Sequence, residues 1–259
     1  MSPRDFDWFM DEFYQLTGIN LRQYKRPQME RRLTALRDRR GFNSFDAYMG
    51  AVSSNSALLT ELLDRMTINV SEFYRNKSRW DTLIERVLPT IPLHKELKIW
   101  SAACSTGEEP YTLLLVLSTK LPLQRLSVVA TDIDERALTR AKEGRYVKDV
   151  IKPIAPETVQ QNFQLTSDGN YIVSKELRER ITFKKHNLLR DPYLTEQDLI
   201  VCRNVLIYFT DEAKWQVYQK FAHSLNPGGV LFVGSTEQIF HPEALGLKQI
   251  EPFFYQKKT

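Results

Sequence analysis

The sequence predicts an α/β protein: a doubly wound, mostly parallel sheet with a small all-helical N-terminal domain and a small antiparallel β insertion. Three observations predict it. Up to about residue 90, apolar residues recur at helical spacing. From residue 97 the pattern becomes short apolar runs alternating with helical stretches, as in a parallel sheet covered on both faces. Between about 163 and 183, short alternating runs flank Asp168-Gly169, a hairpin signal. The expected domains are residues 1–90, the helical unit with its linker, and residues 91–259, the sheet domain that carries the insertion.

Each element has its own justification. Ser2-Pro3 offers an N-cap and a proline at the first helical position, and Phe6, Phe9, Met10 and Phe13 line one face up to Gly18. Met29, Leu33 and Leu36 mark a second helix stopped by Gly41. Ser44 caps a third, with Phe45, Tyr48, Met49 and Val52 on one face. Leu58, Leu59, Leu62, Leu63 and Met66 make a fourth. Trp80, Leu83, Ile84, Val87 and Leu88 make a fifth, stopped by Pro89. The strands are "LKIWSAA", "LSVVATDID", "ITFKKHNL", "DLIVCRNVLIYF" and "GGVLFVGSTE", with helices near 108–120, 134–143 and 211–225. "NPGG" at 226–229 reads as a turn into a strand, and "PFFYQKKT" as a last strand.

Composition narrows the function. The chain has 259 residues, 42% hydrophobic and 26% charged, as in ordinary globular proteins. No apolar run approaches a membrane span, and the acidic start "MSPRDFDWFMDEF" is unlike a signal segment, so a cytoplasmic protein without membrane insertion is expected. Cys104 and Cys202 each end an apolar run and read as buried thiols. The histidines lack ligand spacing, so no metal is expected. A net charge of +4 is too small to argue for nucleic acid.

The first strand-to-helix turn carries the chemistry. In such sheets ligands bind at the carboxyl ends of the strands, and a dinucleotide would want G-x-G-x-x-G there. In "SAACSTGEEPYTLLL" Gly107 stands alone, and Glu108 and Glu109 open the helix. Two acids repel phosphate; they favour a cation, or hydroxyls that need acceptors. Asp132, after the second strand and about 20 residues beyond Glu109, stands where an acid accepts ribose hydroxyls. Ribose without phosphate, beside acids, points to a positively charged adenosine ligand such as S-adenosylmethionine. The alternatives are structural: Glu108 and Glu109 as helix N-terminal acids, and Asp132 and Asp134 as caps, the role expected of Asp134.

"TINVSEFYRN" at 67–76, "WSAACSTGEEPY" at 100–111, "ATDID" at 130–134 and "CRNVLIYF" at 202–209 resemble the chemotaxis receptor methyltransferases, the CheR family, over nearly the whole chain. The resemblance is greatest to the Bacillus-type branch. It implies a class I, Rossmann-like S-adenosylmethionine-dependent fold and methyl transfer to receptor glutamates, with S-adenosylhomocysteine as product. It places Asn69, Ser71 and Arg75 against the cofactor from the interdomain loop, with a serine where the family commonly has threonine. Glu109 and Asp132 would hold the cofactor; Asn187, Leu188, Asn204 and Val205 would line its adenine and methionine portions; Arg75 and Tyr208 would sit nearest the methyl. Tyr208 as a sheet-end aromatic, Arg75 as an interdomain cap, and Asn187 and Asn204 as loop stabilisers remain open alternatives.

In "YKRPQMERRLTALRDRR" a basic helix, with Arg31, Arg32 and Arg39 on it, is either a solvated face or a dock for the acidic cytoplasmic helical region of methyl-accepting receptors. The insertion's short turn suggests a form that does not grip a receptor tail, and a monomer is the default. Rival classes are a dinucleotide oxidoreductase, opposed by the missing glycines; a non-catalytic cofactor sensor; and an RNA or small-molecule methyltransferase, for which no basic stripe interleaved with aromatics speaks.

Overall fold

The computed structural model describes residues 3–67, 69–93 and 96–258, with side chains from Asp5 onward; Ser2 of the expected N-terminal cap lies outside them. The chain divides into two compact units, residues 1–68 with 208–215, and residues 69–207 with 216–259.

In the first unit α1 (Pro3–Thr17), α2 (Arg26–Arg39), α3 (Phe45–Ser54) and α4 (Ser56–Met66) surround an aromatic core. Phe6, Phe9, Phe13 and Phe45 are fully buried, and Phe9 and Phe45 lie 4.6 Å apart, centroid to centroid. Ser44 caps α3 by accepting from the Ala47 amide, as the sequence predicts, and Asn55 caps α4 through Ala57 and Leu58. Arg37 is buried over the Phe45 ring and paired with Asp5 and Asp38.

The second unit begins with a helical run: α5 (Lys77–Thr82), a wider turn over Leu83–Val87, and a tight turn over Leu88–Thr90. Periodicity alone groups this run with the helical unit. Trp80, Leu83 and Val87 instead join the core of the sheet, so the units part near residue 68 and not near 90. An amphipathic stripe shows that a helix packs, not what it packs against.

Then follow β1 (Leu97–Ala102), α6 (Glu108–Leu117), β2 (Leu126–Asp132), α7 (Glu135–Glu143), β3 (Arg145–Tyr146), α8 (Lys148–Ile151), α9 (Pro156–Asn162), β4 (Phe163–Leu165), β5 (Tyr171–Val173), α10 (Lys175–Arg178) and β6 (Ile181–Lys185). The chain ends with β7 (Gln197–Cys202), α11 (Asp211–Ser224), β8 (Leu225–Val233), β9 (Leu247–Glu251) and β10 (Phe254–Lys257). The main sheet runs β6-β2-β1-β7-β8-β10-β9; its first five strands are parallel and β10 is antiparallel to both neighbours. From β1 the chain winds outward through β2 to β6, then returns to β7 on the other side. The order therefore reverses between β1 and β7, the position where such sheets bind ligands.

The structure corrects four expectations. "DLIVCRNVLIYF" is a strand only to Cys202, and Leu206–Tyr208 forms a tight helical turn. Tyr208 and Phe209 group with the helical unit, where Lys25 N donates to the Tyr208 carbonyl at 2.8 Å and Phe209 bridges to Tyr24. "GGVLFVGSTE" ends as a strand at Val233, and "NPGG" lies inside β8 as an irregularity in its pairing with β7. The insertion is the three-stranded antiparallel sheet β3-β5-β4, which starts at Arg145 and excludes residues 181–183; these begin β6 of the main sheet. The last strand, β10, has a hairpin partner, β9, that periodicity missed.

Candidate functional site

The carboxyl ends of β6, β2, β1 and β7 carry Asn187 and Leu188, Asp132, Glu109, and Asn204 and Val205 in turn. After β1 the turn is strained: Ala103, Ser105 and Gly107 all have positive φ, and such conformations cluster at functional sites. Gly107 has φ +98°, and a Cβ there would lie 2.9 Å from both the Ala141 Cβ and the Tyr146 hydroxyl. Neighbouring strands hold the turn. Cys104 N donates to the Thr131 carbonyl, Ser105 N to Asp132 Oδ2 at 2.8 Å, and Gly107 N to the Cys104 carbonyl.

These bonds test the ligand. A pyrophosphate wants free amides, and three of this turn's amides are already used. What the turn offers is acceptors. Glu109 Oε1 accepts from the Ser101 hydroxyl at 2.9 Å, and Oε2 lies 3.7 Å from Arg203 Nη1. Its side chain is 13% exposed, and burial pushes its carboxyl up to about 7, against the pull of Arg203 and of the Ser101 hydroxyl. Asp132 is buried; its two oxygens accept from the Asp134 and Ser105 amides, and burial raises its pKa despite those bonds. Glu108 points inward and takes the Thr106 hydroxyl. Asp134 caps α7 through the Arg136 and Ala137 amides, as the sequence predicts.

The 69–76 segment lies against these acids. Asn69 Nδ2 donates to Asp134 Oδ2 at 2.6 Å, and Asn69 Oδ1 accepts from the Ser105 hydroxyl. Tyr74 N donates to Thr112 Oγ1, and Tyr74 and Asn76 take left-handed backbones on either side of Arg75. Arg75 donates to the Val70 carbonyl, while its own carbonyl accepts from Trp80 Nε1 and Arg203 Nη2. Ser71 is half-buried.

After β6, Asn187 Oδ1 accepts from Leu189 N, its own amide donates to Asp191, and buried Leu188 takes the Tyr193 hydroxyl on its carbonyl. After β7, Asn204 turns the chain at φ +61° ahead of half-buried Val205.

The structure thus links Asn69, Asp132 and Ser105 in one network, and Arg75 and Glu109 through Arg203 in another. It places Tyr208 with the helical unit, and Arg31, Arg32 and Arg39 on α2 of that unit. There Arg32 caps α4 by donating to the Arg65 and Met66 carbonyls, and Arg39 pairs with Glu61. Arg31 is exposed and makes no ion pair among the described residues. No helix is long and apolar enough to cross a membrane, and no cluster could hold a metal ion, among the described residues.

Sequence reasoning missed two residues. Arg203 is buried between the Trp80 and Phe232 rings, at 5.1 and 4.9 Å, and donates to the Arg75 carbonyl and to Asn76 Oδ1. Glu237 is buried beyond the end of β8. A charged residue directly after an apolar run, as in "VCR", marks Arg203, and an acid four residues past one, as in "FVGSTE", marks Glu237.

A doubly wound sheet with acids at its reversal point, and with three of the turn's amides already used, is the class of fold that fits a nucleoside ligand bringing positive charge. Comparison with known proteins makes this specific. Residues 69–253 match the family described as "CheR methyltransferase, SAM binding domain", and residues 4–67 match "CheR methyltransferase, all-alpha domain". The chain belongs to the CheR methyltransferase family, and S-adenosylmethionine is its cofactor. It is 40% identical to a "Chemotaxis protein methyltransferase" of Listeria monocytogenes, over 98% of this chain and 97% of that one. Similar proteins are "Chemotaxis protein methyltransferase 2" of Vibrio cholerae, 34% identical over 92% of this chain and 87% of that one, and a "Chemotaxis protein methyltransferase" of Salmonella typhimurium, 33% identical over 92% and 84%.

Proposed function

We propose that the chain methylates glutamate side chains of chemotaxis receptors, forming glutamyl methyl esters, and that it works as a cytoplasmic monomer. The observation that carries the reading is the pair of carboxylates, half-buried Glu109 and buried Asp132, just beyond adjacent strand ends within a CheR family chain. S-adenosylmethionine supplies an electrophilic methyl group on a sulfonium. Glu109 would offset the positive charge, Asp132 would accept ribose hydroxyls, and Asn69, Ser71, Asn187, Leu188, Asn204 and Val205 would line the remainder.

A solvated glutamate side chain titrates near pH 4.3, roughly, so the receptor glutamate is ionised at neutral pH and needs no general base. The protein's task is placement in a sheltered site. Arg75 would orient one oxygen of the incoming carboxylate by a charge-assisted hydrogen bond and leave the other free to attack. Tyr208 would pack or donate near the reacting methyl. The basic face of α2, with Arg31, Arg32 and Arg39, would steer the acidic helical region of the receptor. Arg31 has the most charge to offer, since Arg32 and Arg39 already serve α4.

Incubating the protein with labelled S-adenosylmethionine and receptor cytoplasmic fragments should yield base-labile methyl ester. Folded protein that binds the cofactor but leaves the fragments unlabelled would favour a cofactor sensor instead.

A further inference from the structure

We propose that Glu237 is a positioning residue for the cofactor: its carboxylate fixes the turn after β7 and so presents Asn204 and Val205 to S-adenosylmethionine. The parallel strand ends abruptly at Cys202, and the chain reverses through Asn204 in a left-handed conformation. Such a turn leaves amides without strand partners. Here four amides converge on one side chain. Glu237 Oε2 accepts from Asn204 N at 2.7 Å and Gly234 N at 2.9 Å; Oε1 accepts from Leu206 N at 2.7 Å and Ile207 N at 3.3 Å.

The carboxylate is itself held. Glu237 is 4% exposed, its amide donates to the Gly234 carbonyl, and its carbonyl accepts from the Tyr218 hydroxyl at 3.1 Å. No Lys or Arg lies within ion-pair distance of it among the described residues, so the amides are its stabilising partners. Burying a lone carboxylate is costly, and an apolar residue would fill the space at less expense. A charge kept here is explained by the geometry it imposes on one loop. Gly234 makes room for it: a Cβ at that position would lie 2.4 Å from Glu237 Oε2 and 2.9 Å from Asn204 N.

The proposal rests on the cofactor reading above, so wild-type protein is titrated first, and absence of S-adenosylmethionine binding there would sink that reading rather than this one. E237Q preserves shape but turns an NH2 toward amides that need an acceptor. G234A displaces the carboxylate without removing it. Circular dichroism and Tm monitor folding, calorimetry gives the Kd for S-adenosylmethionine, and steady-state assays separate the KM for cofactor from that for receptor fragments. Either folded variant should lose cofactor affinity by about tenfold or more, with the receptor KM within about twofold of wild type. A folded variant that binds the cofactor within twofold of wild type overturns the proposal. Failure of both variants to fold at low temperature also overturns it, because the clamp would then be a determinant of the fold.

Discussion

Replacing Glu109 by glutamine should abolish a pH dependence of cofactor binding that the surroundings of this carboxyl set up. With the carboxyl at about 7 in the free protein and ionised beside a bound cation, a proton leaves whenever the ligand enters below that pH. The apparent Kd then scales with one plus the ratio of protonated to ionised Glu109. That factor is about 11 at pH 6 and about 1.1 at pH 8, so affinity should weaken about tenfold between them. At pH 7 about half a proton should be released, readable by calorimetry in buffers of different ionisation enthalpy. The ligand's own titration is common to wild type and E109Q, so the difference between their profiles isolates Glu109. The sign for stability is opposite. A carboxyl raised from 4.5 to about 7 contributes stability present below the unfolded pKa and lost as pH rises through 7, about 3 kcal/mol in all. The Tm of the free protein should therefore fall from pH 5 to pH 8, and less so with S-adenosylmethionine bound. Parallel pH profiles of Kd for wild type and E109Q would refute the reasoning.

Other perturbations test neighbouring parts. Arg75→Ala removes one hydrogen bond to the Val70 carbonyl but leaves the backbone contacts of residue 75 intact; turnover should fall about a hundredfold while the Kd for cofactor changes much less, as single-turnover kinetics and calorimetry can show. If α2 steers the receptor, the KM for receptor fragments should rise with ionic strength, and Arg31→Glu should raise it further at low salt only; a salt-independent KM would count against docking by this face. Gly107→Ala forces a side chain onto φ +98° with contacts of 2.9 Å, so chemical denaturation should show a loss of more than about 1 kcal/mol.

Legibility followed the range of the interaction. β1 and β2 are buried on nearly every residue, so their apolar runs were readable as strands. The caps Ser44 and Asp134 act on amides two or three residues away and were readable for the same reason. The end of β7 was not, because "VLIYF" stays apolar after the strand stops: Leu206 is buried in a tight helical turn and Phe209 at the bridge that follows it. Apolar composition reports burial, not conformation. β9 (Leu247–Glu251) is half polar and has no apolar run to mark it; Pro252 and Phe253, at φ +75°, form the hairpin turn that joins it to β10. In the site, Glu109 is visible as an acid where a phosphate site would have glycines, and Asp132 as an acid after the second strand, where ribose hydroxyls are accepted. The Arg203 contact with the Arg75 carbonyl joins residues 128 apart, and no local pattern encodes it. Assigning Asn69, Ser71 and Asn187 to the cofactor rests on resemblance to a family, since a single neutral polar side chain in a loop carries no chemical signature of its own.

The ways in which half-buried Glu109 and buried Asp132 and Glu237 are compensated divide their labour. Burial raises the pKa of Glu109, Asp132 and Glu237 alike, so each needs partners to remain ionised. Glu237 takes four backbone amides, and its acceptor capacity is spent on shaping a loop. Asp132 takes the Ser105 and Asp134 amides, one on each oxygen, which leaves lone pairs suited to hydroxyls. Glu109 has one hydroxyl at 2.9 Å and a guanidinium no nearer than 3.7 Å. It is the least satisfied of the three, and therefore the one that gains most from an arriving positive charge. A sulfonium nucleoside would meet an anion that the protein alone stabilises poorly, so part of its binding energy comes from relieving a cost already present in the free protein.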